Sequence, residues 1–280
     1  MTVGALNKVL KFAARLVLYF WCAFSVLAFV WIAVASLKTN REFFSNLWGM
    51  FKAPQWANYV MIWTKYSLGS NFGNSLYVVS LSVILILVVC TPAAYVLSRV
   101  KFRFATPITL LVTLGMGVPF QLMLVPLYFT MFKIRMVNSL NGLVLVYVAL
   151  SIPFTVFLLL SFFKTLPSVL EEAAYIDGAG PMRTFFSVML PLGRPGIITA
   201  AIFNFISLWN EFLLSLTFLH DNSLFTLPVG IFGLQTSMQY TGNWVALFAG
   251  FVIVFVPTLI IFVFLSRQII EGLTLGAVKD

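Results

Sequence analysis

Long apolar runs with almost no charge are the feature that most constrains this chain. Six such runs lie at residues 16–37, 74–98, 107–131, 141–163, 197–219 and 244–266. A helix of about 20 apolar residues spans the hydrocarbon core of a bilayer, and hydrocarbon admits only backbone that satisfies its own hydrogen bonds. The pattern predicts an all-α, polytopic membrane protein with about six transmembrane helices, forming a single transmembrane domain over residues 1–280.

The composition excludes a soluble protein. Hydrophobic residues make up 61% of the 280 residues and charged residues 9%, whereas about a quarter of a soluble domain is charged. Six spans and their connections use the whole length, so we expect no separate catalytic domain. The net charge of +9 fits basic loops that face the cytoplasm and anionic lipid. We therefore predict membrane lipid, and no nucleic acid, as a partner.

The distribution of basic residues predicts the orientation. Of the 17 Lys and Arg residues, 11 lie at the N-terminus, in the loops after the second and fourth runs, and in the C-terminal tail. The remaining six lie in the alternate loops. Because loops rich in Lys and Arg stay in the cytoplasm, both termini and the loop 164–195 are predicted to be cytoplasmic.

The loop 164–195 carries the strongest local signals. Ser168 with Glu171 three residues later predicts a capping box at a helix start, and Gly178 predicts a left-handed end to that helix. Pro181 is suited to the first position of a second short helix, which Pro191 and Pro195 are expected to stop. A short capped helix with a small-residue surface suits docking. The alternative is an ordinary interfacial helix that links two spans.

A motif in this loop resembles that of a known family. Glu172-Ala173-Ala174 is followed at fixed spacing by Gly178, Val188 and Leu190-Pro191. This run resembles the EAA motif of permeases in binding-protein-dependent ABC importers, with valine in place of isoleucine at 188 as the one departure. Three further runs resemble the carbohydrate branch of that family, specifically the maltose-type second permease: Asn74-Ser75-Leu76, Ala94 to Arg99, and Trp209-Asn210-Glu211-Phe212.

The resemblance implies a fold, a function and a location. The fold would be that of a type I ABC importer permease in the cytoplasmic (inner) membrane of a prokaryote. The loop would be a coupling helix that docks in a cleft of an ATP-binding subunit and transmits its closure to the spans, so that a carbohydrate crosses by alternating access. The residues implied in this coupling are Glu171, Glu172, Ala173, Ala174, Asp177, Gly178, Ala179, Leu190 and Pro191.

The resemblance also implies the partners. They are two ATP-binding subunits, a homologous sister permease that makes a heterodimer, an extracytoplasmic solute-binding protein and a carbohydrate substrate. The chain has no G-x4-G-K-[ST] phosphate loop, so it is expected to be a non-catalytic subunit. No cofactor is expected in this chain, because ATP and Mg would be held by the partner ATPase. No metal site is expected either, since there is one histidine.

Polar residues inside or beside the spans are candidates for a translocation path, because a polar group in hydrocarbon should face protein or water. The candidates are Asn74, Gln121, Tyr128, Asn204, Asn210 and Glu211. Glu211 is the one acid within a predicted span, and either a gating role or a structural hydrogen-bonding role fits it. Pro119 and Pro126 are expected to break the third span. The break would either face a cavity, where Gln121 meets a sugar hydroxyl, or be a kink in a packing helix.

Two other functions compete with the importer. An ion-coupled carrier would need buried acids or broken half-helices that bind sodium or protons, and Glu211 is the available acid. A membrane-embedded enzyme would need clustered His, Asp or Glu residues within the spans, and the sequence shows no such cluster. The polar, uncharged stretch 222–243 is predicted to be an outer loop or a re-entrant gate.

Overall fold

The computed structural model describes residues 3–277, and among them the side chains of residues 10–238, 240 and 242–264. Every regular element in this part of the chain is helical, as predicted. The helices form two compact units, Met1–Gly69 with Ile231–Val256, and Ser70–Gly230 with Pro257–Asp280. The single-domain organisation and the cytoplasmic placement of the termini stay predictions.

The first unit contains the N-terminal helix and two short helices after it. Its elements are α1 (Val3–Ser36), α2 (Asn40–Ser45) and α3 (Ala57–Thr64), with the later part of α13 (Leu227–Thr241) and the earlier part of α14 (Trp244–Ala277). A small core of Ala35, Phe43 and Val245 holds it together. Lys38 is buried, and its ammonium donates to Asn46 O at 3.0 Å and Leu47 O at 3.2 Å.

The second unit holds most of the predicted site residues. Its elements are α4 (Leu68–Arg99), α5 (Ala105–Met116), α6 (Phe120–Lys133), α7 (Leu140–Thr165), α8 (Val169–Ile176), α9 (Pro181–Thr184), a π-helical turn (Phe185–Met189), α10 (Leu190–Leu192), α11 (Arg194–Trp209) and α12 (Leu213–Phe218). It also includes a 3-10 turn (Asn222–Leu224), the start of α13 and the end of α14. Helix α7 is the most buried of these, and α5 and α11 pack against it.

Four unbroken helices are long and apolar enough to span a bilayer: Leu10–Ser36, Leu68–Arg99, Leu140–Thr165 and Trp244–Phe264. They correspond to the first, second, fourth and sixth predicted spans. Two bent helix pairs also meet this test, Ala105–Met116 with Phe120–Lys133, bent by 103°, and Pro181–Leu192 with Arg194–Trp209, bent by 69°. The prediction of about six spans therefore agrees with the structure when each bent pair is one span.

The third and fifth predicted spans are not continuous helices. In the third, the break is at Gly117 to Pro119, where Pro119 is extended with ψ 124°. Pro126 lies inside α6, so the expectation that it breaks the span is wrong. The fifth predicted span, 197–219, is divided between α11 and α12, which are separated by residues 210–212.

The polar stretch 222–243 is mostly helical, so the prediction of an outer loop is wrong, and the alternative of a re-entrant gate stays a prediction. Helix α13 occupies 15 of these residues. Leu227, Ile231, Leu234 and Met238 are buried, and they recur at helical spacing on one side of α13. The glutamine and threonine side chains between them are exposed where the structure describes them. A narrow apolar stripe is therefore enough to stabilise a helix in a segment whose polar composition is typical of a loop.

Close packing of α11 on α7 depends on a small residue. A Cβ atom added at Gly196 would lie 2.5 Å from Cγ of Phe162, much closer than carbon atoms approach. Gly196 and Phe162 are both buried. The missing side chain of Gly196 therefore lets the first turn of α11 lie directly on the Phe162 ring.

Candidate functional site

Helix α8 ends at a glycine, as the sequence predicted. Gly178 has φ +78°, a left-handed conformation that glycine adopts without steric cost. Its N–H donates to Tyr175 O at 3.0 Å, and the Ala179 N–H donates to Ala174 O at 2.9 Å. These two bonds form a Schellman motif. The turn after α8 therefore has a defined geometry, with the end of the helix satisfied.

The start of α8 differs from the prediction. Ser168 is the residue before the helix, but its backbone is helical and its side chain caps no N–H group. The predicted capping box of Ser168 and Glu171 is therefore wrong. Glu171 instead accepts a hydrogen bond from the Tyr95 hydroxyl at 2.9 Å and lies 3.6 Å from Nη1 of Arg99. Glu171 thus bonds to side chains of α4 instead of to the backbone at the start of α8.

The residues of the motif divide between an outer and an inner side of α8. Glu172, Ala173, Asp177 and Gly178 are exposed, whereas Ala174 is buried and Ala179 is half-buried. Apolar side chains accompany the exposed carboxylates, since Ile176 is 87% exposed and Met182, in the next helix, is 70% exposed. We call Glu172, Ala173, Ile176 and Asp177 the outer face of α8. It combines apolar and acidic groups that no described residue covers.

The segment after α8 is one irregular helix. Pro181 occupies its first turn, as predicted, and the helical conformation continues through the π-helical turn to Leu192. Leu190 is half-buried and Pro191 exposed, within α10. The helix ends at Leu192, one residue beyond Pro191, and Gly193 separates it from α11, in whose first turn Pro195 lies. The segment packs on α8 through the π-helical turn.

A cavity of about 630 Å³ lies beside the break in the third span. Residues on both sides of the break line it, among them Gly115, Pro119 and Phe120, together with residues of α7 and α11 and with Glu211 and Leu214. Most lining side chains are apolar. The polar ones are Gln121, Tyr147, Ser151, Ser207 and Glu211. The structure thus places two predicted path residues, Gln121 and Glu211, on one cavity.

Glu211 is held by hydrogen bonds at the start of α12. Its carboxylate accepts from the N–H groups of Leu214 at 2.6 Å and Ser215 at 3.0 Å. It also accepts from the Tyr147 hydroxyl at 2.7 Å and lies 3.3 Å from the Ser215 hydroxyl. A carboxylate at a helix N-terminus is stabilised by the free N–H groups and by the helix dipole. This arrangement favours the structural hydrogen-bonding role for Glu211.

The other four predicted path residues are not among the residues that line this cavity. Asn74 donates to Ser223 O at 2.9 Å and Phe225 O at 3.0 Å. Buried Asn204 donates to Thr155 Oγ1 at 3.0 Å, which joins α11 to α7. Exposed Asn210, the residue after α11, donates to Ile206 O at 2.7 Å in the last turn of that helix. Each of these three side chains makes a structural contact.

Tyr128 lies in a small polar cluster near the end of α6. Its ring stacks on His220, with centroids 6.2 Å apart, and its hydroxyl lies 3.4 Å from His220 Nε2. Asn138 donates to Asp221 Oδ2 at 2.7 Å in the same neighbourhood. Among the described residues, no group of three or more His, Cys, Asp or Glu side chains is arranged to hold a metal ion.

Sequence reasoning missed five polar residues of these two sites, one of which is the cavity-lining Ser207 on α11. Tyr95 and Arg99 at the end of α4 contact Glu171, and Tyr147 and Ser151 on α7 face the cavity. Both pairs have i, i+4 spacing, which places two polar side chains on one face of a helix. Polar residues at this spacing inside an apolar span are the signal that would have identified them.

Comparison with known proteins places these features in a family. Residues 88–271 match the family model described as "binding-protein-dependent transport system inner membrane component". The diacetylchitobiose uptake system permease protein of Streptomyces coelicolor is 36% identical over 271 residues, 96% of this chain and 90% of that protein. The trehalose/maltose transport system permease protein of Thermococcus litoralis is 31% identical over 282 residues, 100% of this chain and 99% of that protein.

A solved structure shares the fold. The structure is of a bacterial ABC transporter involved in the import of the polysaccharide alginate, and one of its chains superposes with a TM-score of 0.80 at 16% identity. The superposition covers 95% of this chain and 98% of that chain. These findings confirm the resemblance inferred from the EAA motif. The chain belongs to the family of binding-protein-dependent transport system inner membrane components, and it is a multi-pass ABC permease of the inner membrane with the type I importer fold.

Proposed function

We propose that this chain is the permease subunit of an ABC importer that moves a carbohydrate into the cell by alternating access. ATP and Mg are held by two separate ATP-binding subunits, and this chain holds no nucleotide and catalyses no reaction. The chain pairs with a homologous sister permease. An extracytoplasmic solute-binding protein delivers the substrate. The relatives named above support the substrate class, because their names specify diacetylchitobiose and trehalose or maltose.

The outer face of α8 is the observation that carries this proposal. Glu172 and Asp177 place two exposed carboxylates beside Ile176, which is 87% exposed. A helix that merely lies on the cytoplasmic leaflet would present basic residues to anionic lipid, and these carboxylates would be repelled. A protein cleft that accepts an apolar residue flanked by acids fits better. In this proposal the cleft belongs to the ATP-binding subunit, and Gly178 sets the angle of approach.

The cavity beside the broken third span is proposed to be part of the translocation path. Broken helices at membrane depth are tolerated where they face protein or water. The Gln121 amide has donors and an acceptor that match sugar hydroxyl groups. Glu211 would shape the end of the cavity through α12, since its carboxylate is already occupied by hydrogen bonds. That occupation counts against an ion-coupled carrier, which would need this acid to bind the ion.

Affinity purification of the tagged chain from native membranes in mild detergent tests the proposal. We expect an ATPase with a phosphate-binding loop and a second permease to co-purify. We expect Gly178→Asp to lose the ATPase while the chain remains inserted in the membrane. A chain that purifies alone and transports sugar in ATP-free vesicles would overturn the importer function in favour of an ion-coupled carrier.

A further inference from the structure

Arg99 lies where three helices meet. It is the last residue of α4, and its guanidinium donates to Phe163 O at 2.6 Å and to Leu166 O, both at the end of α7. The same guanidinium lies 3.6 Å from Glu171 in the first turn of α8. A cation at a helix C-terminus and an anion at a helix N-terminus each complement the helix dipole. One arginine thus joins the ends of α4 and α7 to the start of α8.

Tyr95 supplies a second link one helical turn earlier. Its hydroxyl donates to Glu171 Oε1 at 2.9 Å. Its ring packs against Phe163 on α7, with centroids 5.9 Å apart, and against Phe185 in the π-helical turn, at 5.0 Å. Tyr95 is buried. The Glu171 carboxylate therefore accepts from Tyr95 through one oxygen and faces Arg99 through the other.

This cluster is shielded from water. The side chains of Arg99 and Glu171 are each 13% exposed, so salt screens their attraction much less than that of a surface pair. A guanidinium presents several donors in a fixed planar fork, which restricts how α4, α7 and α8 can be arranged around it. The contact is therefore directional and resists sliding of α8 along the end of α4.

We propose that Tyr95 and Arg99 are positioning residues that clamp the coupling helix α8 to the cytoplasmic end of α4, so that α4 moves with α8. We call Tyr95, Arg99 and Glu171 the clamp. Glu171 then holds α8 against α4, which is the second span, while its neighbour Glu172 remains exposed for docking. This inference rests on the proposed function, because it describes how closure of the ATP-binding subunits reaches a span that is not adjacent to α8 in the sequence.

The test uses the assembled transporter in lipid nanodiscs and needs no substrate. Gln121→Cys places a reporter thiol on the cavity, and its rate of maleimide labelling is measured with and without Mg and a non-hydrolysable ATP analogue. The parent chain, which keeps Cys22 and Cys90, gives the background. Tyr95→Phe removes one hydroxyl and keeps the ring, and Glu171→Gln removes the charge and keeps an acceptor. Tyr19→Phe, an exposed tyrosine in α1, is the matched control.

With the native clamp and with Tyr19→Phe, we expect the nucleotide analogue to change the labelling rate several-fold. In Tyr95→Phe and Glu171→Gln we expect that change to be lost while the ATP-binding subunit stays in the complex. The double variant should be at least as impaired as either single one, because Tyr95→Phe removes the hydrogen bond to Glu171 and Glu171→Gln removes the attraction to Arg99. A full nucleotide response in all three variants would overturn the proposal. Loss of the ATP-binding subunit from the variants would also overturn it, since Glu171 would then act in docking.

The proposed function and the clamp can fail separately. If no ATP-binding subunit co-purifies with the native chain, the importer proposal fails and the clamp is tested in the chain alone. The measurement is then amide hydrogen exchange of residues 169–176. Several-fold faster exchange in Tyr95→Phe than in Tyr19→Phe would support a clamp that holds α8, and equal exchange would reject it.

Discussion

The hydroxyl of Tyr147 donates a hydrogen bond of 2.7 Å to Oε2 of Glu211, which joins the N-terminal half of α7 to the break between α11 and α12. The same hydroxyl lies 2.7 Å from the Ser215 hydroxyl. Glu211 also accepts from two N–H groups at the start of α12. This network explains how a carboxylate is tolerated within an apolar run, because its acceptor sites face donors from the same unit.

We expect removal of the Glu211 carboxylate to destabilise the fold. Glu211→Leu leaves the N–H groups of Leu214 and Ser215 without their acceptor, at a cost of about 2 to 4 kcal/mol, whereas Tyr147→Phe loses one hydrogen bond at about 1 kcal/mol. Thermal unfolding of the detergent-solubilised chain, followed by tryptophan fluorescence, measures both. Asn210→Ala is the matched control, because this exposed amide bonds only to the last turn of α11 among the contacts described above. Equal midpoints for Glu211→Leu and Asn210→Ala would contradict the structural role of Glu211.

The left-handed turn after α8 predicts different effects at two nearby glycines. Gly178→Ala places a side chain at φ +78°, which costs about 1 kcal/mol and should weaken retention of the ATPase. Gly178→Asn should be milder, since asparagine tolerates this region. Gly180 has φ −71° and open space around its Cα, so Gly180→Ala should leave retention unchanged. Co-purified ATPase per permease is the measurement, and equal losses at both positions would refute the geometric argument.

The cavity predicts a specific role for Gln121. Gln121→Leu removes the amide of a cavity-lining residue and should lower sugar uptake about tenfold, if one hydrogen bond of about 1.4 kcal/mol is lost. Gln121→Asn should recover part of the uptake. Uptake of labelled diacetylchitobiose, trehalose and maltose in intact cells provides the measurement. Leu122→Ala is the control, because Leu122 is 74% exposed and is not a lining residue. Unchanged uptake of every sugar taken up by the native chain would exclude Gln121 from the path.

The close approach of Gly196 to Phe162 predicts a steric effect. Gly196→Ala should lower the unfolding midpoint, since its Cβ would lie 2.5 Å from the ring and overpacking costs about 1 to 3 kcal/mol. Adding Phe162→Leu should return part of the loss, because the smaller side chain leaves room for the new methyl group. Gly233→Ala is the matched control in open space on α13. If the double variant is as unstable as the sum of its single variants, the two residues are not in steric contact.

The alternation of apolar runs and basic loops was sufficient to predict an all-helical membrane protein with about six spans. The EAA motif was sufficient to predict the family and the glycine-terminated helix α8. Both features are local, because a span is set by its own hydropathy and a left-handed helix end by the residue that occupies it. The break at Pro119 was predicted from the missing N–H of proline, but the same argument failed at Pro126, which lies inside α6.

The partners of the polar side chains were decided by the tertiary structure. Glu171 stands at the position of a capping-box glutamate, yet it accepts a hydrogen bond from Tyr95, which lies 76 residues earlier in the chain. Gln121 and Glu211 share a cavity because α7 lies between the broken third and fifth spans. Such contacts depend on which helix faces pack together. In a membrane, lipid and neighbouring helices are equally apolar, so the spacing of apolar residues along a helix does not show which face packs against protein. The sequence by itself determined the spans and the family, and only the packing of the spans determined what their polar groups contact.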